Sequence, residues 1–176
     1  MSAVRRLAAG DAPALAGIVR GLPEYFTGDV PGKVEHDAAS HEAWVITDDG
    51  TIAGFVIAAR KSPGGAEILW IAVDAARRGQ GHGTRLLSNV MDDLAETGVS
   101  VVTVKTLDSS AGYAPYEATR AFYERNGFVY VDTIDPLPGW PPGNPAAIYA
   151  AAIRPTLPPR PAAPTLTLTR RRQGCP

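Results

Sequence analysis

A chain of 176 residues, 45% of them hydrophobic, is long enough to fold as one domain around a continuous core. Its only cysteine, Cys175, has no partner within the chain, which excludes an internal disulfide framework and a cysteine-ligated zinc site and suits a reducing, cytoplasmic setting. The formal charge of −1 hides an asymmetry, since residues 154–176 carry five Arg and no acid while residues 1–153 are acidic, a balance that argues against nucleic acid as the partner of the folded part.

The opening residues mix Arg5, Arg6, Asp11 and Arg20 with apolar ones, and no apolar run approaches a membrane span. Ala3 to Leu7 reads as a first strand. Asp11 then reads as the cap of a helix reaching about Arg20, with Leu15, Ile18 and Val19 on one face. A second helix is expected from Lys33 to His41. Strands at Ala43 to Thr47 and Ile52 to Ala59 flank Asp48-Asp49-Gly50-Thr51, where the Asp-Gly pair supplies the backbone angles of a tight hairpin. Ala66 to Val73 is apolar on both faces except for Glu67, which predicts a central strand covered on both sides.

From about Gly81 to Thr97, Leu86, Leu87, Val90, Met91 and Leu94 recur at helical spacing, and Gly98 supplies a left-handed stop. Val99 to Lys105 returns as a strand, Pro115 to Arg125 forms another helix closed by Asn126-Gly127, and Phe128 to Thr133 and Ala147 to Ile153 complete the strands. A Pro-rich loop, Asp135 to Pro145, separates the last two. The alternation predicts an α/β (α+β) fold, a mixed sheet with helices on both faces. The domain spans 1–153, and the Pro- and Arg-rich tail, 154–176, reads as disordered.

Three alternating glycines, Gly79, Gly81 and Gly83, join the apolar strand ending at Val73 to the strongest helix. Glycines let main chain approach a ligand closely, and the unpaired N–H groups of a first helical turn bind an anion such as a pyrophosphate. The dinucleotide fingerprint fails here because its third glycine would fall at Thr84, and a P-loop would need a Gly-Lys pair that is absent.

The segment Arg78-x-x-Gly81-x-Gly83 instead resembles the R/Q-x-x-G-x-G/A signature of the GNAT superfamily of acyl-CoA-dependent N-acyltransferases. A second segment, Arg120-Ala121-Phe122-Tyr123-Glu124-Arg125-Asn126-Gly127-Phe128, is similar to the family's A-x-x-F-Y-x-x-x-G-F element. The resemblance departs at Tyr116 and Thr119, where relatives often carry Asn and Ala. It implies a sheet splayed between the fourth and fifth strands, with acetyl-CoA as cosubstrate. On this resemblance the cofactor-binding residues are Ile71, Val73, Arg78, Gly79, Gly81, His82, Gly83 and Thr84, with Ile71 and Val73 contributing main chain and His82 a replaceable loop residue.

Tyr123 matches the tyrosine that protonates the departing CoA sulfur in many relatives, with packing beside Phe122 as the plainer alternative. Glu67 is the candidate base that takes the proton of the amine. Glu24, Tyr25, Asp29, Glu35, Trp140 and Asn144 fall in the segments that form the acceptor site in relatives. His36 and His41 read as surface residues, and the histidines show no metal spacing. The expected activity is acetyl transfer to a primary amine of a small molecule, by direct attack. A protein or peptide amine and a non-catalytic acyl-CoA-binding module are the alternatives, and a homodimer is compatible with each.

Overall fold

A computed structural model of the chain describes residues 1–154. The expectation of a disordered tail lies, except for its first residue, outside the described residues. Seven strands form one sheet: β1 (Ala3–Arg6), β2 (Glu42–Asp48), β3 (Thr51–Ser62), β4 (Gly65–Val73), β5 (Val101–Leu107), β6 (Val129–Ile134) and β7 (Ala146–Ala152). Their spatial order is β1-β2-β3-β4-β5-β7-β6. β4 and β5, which a helix connects, pair in parallel, and every other neighbouring pair is antiparallel; of these β2–β3, β3–β4 and β6–β7 are joined directly by turns or a loop, whereas β1–β2 and β5–β7 are not.

Helices α1 (Ala12–Arg20) and α2 (Val30–Ser40) cover one face, and α3 (His82–Glu96) and α4 (Pro115–Arg125) the other. Strand alternation divides the core accordingly. Trp44, Val56, Ile68, Val102 and Val104 pack with Leu86, Leu87, Val90 and Leu94 of α3, whereas Val45, Phe55 and Ile57 pack with Leu15, Val19 and Val34. Each fully buried Leu on α3 contributes about 1.5–3 kcal/mol relative to exposure.

Several sequence signals act as expected. After α3, Gly98 takes φ +90°, and the amides of Gly98 and Val99 bond the carbonyls of Ala95 and Leu94 at 3.0 and 3.1 Å. Gly127 ends α4 in the same way, with Phe128 N–H on the Tyr123 carbonyl at 3.0 Å. Asp11 holds the expected cap position of α1, its carbonyl accepting from the Ala14 amide at 2.9 Å, but its side chain makes no capping bond and its carboxylate instead accepts from Arg5 at 2.6 Å and from the Ala8 amide at 2.8 Å. α2 starts three residues before Lys33 because Pro31, at the beginning of a helix, needs no intrahelical donor. Among the described residues no helix is long and apolar enough to cross a membrane.

Candidate active site

The sheet opens between β4 and β5. Pairing runs only from Gly65–Ile68 to Val101–Val104, although β4 continues to Val73 and β5 to Leu107. Against β3, Ile57 pairs with Trp70 and Ala58 with Ile68, so Leu69 is an extra residue in β4. Such a bulge bends its strand and ends regular pairing, and here it sits where β4 and β5 part. Past it, one edge of β4 stays bonded to β3 through Trp70–Val73, and the other faces the gap. The gap is continuous with a cavity of about 1780 Å³.

The glycine turn closes one end of this cavity. Asp74 accepts from the Ala76 amide at 2.9 Å and starts a 3-10 turn over Ala75–Arg77. Gly79 and Gly81 then take φ +75° and +78°, which a side chain would strain. Gly83 has a different reason to be glycine: a Cβ there would lie 3.2 Å from the Phe122 ring, so its absence lets α3 approach α4. Gly81 is the N-terminal cap of α3, and the first-turn amides that follow have no intrahelical partner.

All ten candidate catalytic and cofactor residues line the cavity, from Glu67, Ile71 and Val73 through the turn to Thr84 and Tyr123. His82 differs from the replaceable loop residue expected. It begins α3, is 6% exposed, and stands with Nε2 3.6 Å from Asp48 Oδ2, because the short turn directs it inward. Arg78 bridges two regions, its guanidinium 4.8 Å from the Tyr25 ring centre and 3.5 Å from the Glu24 carboxylate.

Tyr123 is 3% exposed and packs between Phe122, Phe128 and Tyr149. Burial, with a smaller contribution from Tyr116, pushes its hydroxyl above the ordinary tyrosine range, so it stays protonated near neutral pH. Glu67 is also buried, but not alone. Lys105 donates to its Oε1 at 2.7 Å and Lys61 lies 3.2 Å from Oε2, one ammonium on each carboxylate oxygen.

Of the expected acceptor residues, Glu24, Tyr25, Asp29, Trp140 and Asn144 line the cavity, while Glu35 is exposed outside it. Asp29 is bonded first to Lys33 and then to Thr27, which together hold its carboxyl down at about 2. Sequence reasoning missed three features. Trp70 donates its indole N–H to Asp37 at 2.7 Å and packs against Phe26. Tyr116, a departure from the family pattern, donates to the Tyr25 carbonyl at 2.8 Å, and Tyr113 donates to the Glu24 carbonyl at 2.9 Å. Lys105, the partner of Glu67, alternates with apolar residues on β5 and carried no motif. Among the described residues no group of three or more His, Cys, Asp or Glu forms a cation site.

A family model for the GNAT acetyltransferase domain matches residues 39–130. No curated protein sequence matches the chain. Among solved structures, a GNAT-family acetyltransferase from Desulfovibrio desulfuricans is 24% identical, with a TM-score of 0.76 over 86% of this chain and 99% of that one. The ribosomal-protein-S18-alanine N-acetyltransferase of Escherichia coli is 25% identical, with a TM-score of 0.69 over 88% of this chain and 95% of its own. An aminoglycoside 6′-N-acetyltransferase complexed with coenzyme A is 19% identical, with a TM-score of 0.69 over 89% and 99%, and so shares the fold.

Proposed function

The chain belongs to the GNAT acetyltransferase family, and from that membership we propose that it moves the acetyl group of acetyl-CoA onto a primary amine of a small molecule in the cytoplasm. The observation that carries this reading is the gap between β4 and β5, which ends at a glycine turn on one side and is flanked by Tyr123. The turn would take the pyrophosphate through the first-turn amides of α3, with Arg78 adding charge. The arm of the cofactor would lie along the free edge of β4, and the Val73 N–H is the donor we assign to the developing oxyanion.

The amine nitrogen then attacks the thioester carbonyl carbon in a ternary complex, so a C–N bond forms as the C–S bond breaks. The amine's proton passes to Glu67, directly or through a water, and Tyr123 supplies a proton to the departing thiolate. Each carboxylate oxygen has two lone-pair sites, so the two lysines leave Glu67 with room to accept. The products are the N-acetyl amine and free CoA. Tyr25, Phe26 and Trp70 would wall the acceptor's part of the cavity, beside Glu24, Asp29 and Asp37, whose carboxylates are held by Arg78, Lys33 and the Trp70 indole.

A release assay for CoA thiol tests this against a panel that includes simple amines, amino acids, an aminoglycoside and a peptide with N-terminal alanine. Turnover with a small amine is the expected result. Turnover with the peptide alone would move the acceptor to a protein, and CoA binding without turnover on any amine would make the chain a binding module.

A further inference from the structure

Among the described residues, two buried side-chain atoms lack a hydrogen-bond partner, Nε2 of His82 and Oγ1 of Thr106. His82 has the Asp48 carboxylate nearby. Thr106 is 4% exposed, lies two residues past Val104, the last residue of β5 paired with β4, and lines the cavity. It therefore stands where the two strands have separated. Strand alternation puts it on the face of Val102 and Val104, the same face on which Ile71, Phe122 and Tyr123 pack. Its neighbour Lys105 projects to the opposite face, toward Glu67.

Burying a hydroxyl without a partner costs free energy, and valine would fill the same space without that cost. Stability alone gives no reason for threonine here. We propose that the Thr106 hydroxyl hydrogen-bonds an amide of the pantetheine arm of the bound acyl-CoA, an inference that rests on the acyl-donor reading above. Pantetheine carries two amides in an otherwise apolar chain, and a chain lying in the gap meets main-chain groups on the β4 side. On the β5 side the Leu107 carbonyl is engaged by Arg120 at 2.9 Å, whereas the Thr106 hydroxyl has no protein partner. A hydroxyl both donates and accepts, and it can turn to either end of an amide.

Thr106→Val and Thr106→Ser in the full chain test the assignment, with CoA as the calorimetric probe and melting temperature as the control. Thr106→Val should weaken CoA about 3- to 10-fold, the effect of one neutral hydrogen bond. Its melting temperature without ligand should equal that of the wild type or exceed it by a few degrees, and Thr106→Ser should bind CoA within about twofold of wild type. A purely structural threonine predicts the reverse pattern, in which Val lowers the melting temperature and affinity falls with it. Unchanged CoA affinity in Thr106→Val overturns the assignment alone. A wild-type protein that binds no CoA overturns it together with the acyl-donor reading.

Discussion

At the end of the cavity formed by β4 and the glycine turn the groups we assign to the acyl donor are mainly main chain, whereas the proposed acceptor side is lined by residues from segments far apart in sequence. Residues 71–84 present strand-edge groups, glycine backbone and the first-turn amides of α3, so one contiguous stretch supplies most of this surface. The opposite side joins the loop after α1 to the start of α4, about ninety residues away, through the hydroxyls of Tyr25, Tyr113 and Tyr116, and joins α2 to β4 through Trp70 and Asp37. A backbone surface reads groups common to every acyl-CoA and can be specified by glycines at fixed spacing. A side-chain surface can change its chemistry one residue at a time, which fits the side that must select the acceptor.

This contrast is most open to attack at Gly81. Gly81→Glu should abolish CoA binding by calorimetry, because a carboxylate would enter the proposed pyrophosphate path with like charge. Gly81→Ala carries the same backbone strain, about 1–2 kcal/mol, and should keep measurable affinity. Equal affinity in a folded Gly81→Glu protein would break the donor half of the comparison.

Tyr123→Phe should lower single-turnover transfer about 10²-fold with CoA affinity unchanged. The raised hydroxyl pKa also fixes the sign of a pH effect. A general acid works while protonated, so the wild-type rate should show no loss attributable to Tyr123 until pH rises beyond the ordinary tyrosine range. A wild-type transfer rate in Tyr123→Phe would leave only packing for this residue. Glu67→Gln keeps the shape but removes the charge between Lys61 and Lys105, and should lower kcat roughly tenfold, measured by thiol release, with CoA binding intact.

Smaller effects sharpen the acceptor side. Tyr116→Phe removes one hydrogen bond to the Tyr25 carbonyl, worth about 1 kcal/mol, and should raise the acceptor KM severalfold while leaving the affinity for CoA unchanged. If it weakened CoA instead, the two sides would not be separable. Ile71→Val should do least. It keeps the strand edge that the cofactor would use, and CoA affinity should stay within about twofold, a tolerance expected of a main-chain surface.

How far each side was legible in sequence follows the same division. Gly79, Gly81 and Gly83 before a helical run, and Phe122-Tyr123 before Gly127-Phe128, are local patterns whose geometry is set within a few residues. The splay was anticipated only through the family resemblance, because the bulge at Leu69 depends on how β4 registers against β3. Glu67 was visible as a lone acid in an apolar strand, yet its two lysines come from β3 and β5 and have no fixed spacing from it. Asp11 shows the limit on a smaller scale: its sequence position suits a cap, but Arg5 and the Ala8 amide take its carboxylate.

By itself, the sequence determined the helix stops at Gly98 and Gly127, the glycine turn and the order of elements, because these depend on backbone angles and periodicities that act over a few residues. Only the tertiary structure decided which side chains meet across the gap. The tyrosine bridges, the Trp70–Asp37 bond, the lysines on Glu67 and the unpartnered hydroxyl of Thr106 all depend on distances between strands and helices, and those distances are set by the packing of the two cores.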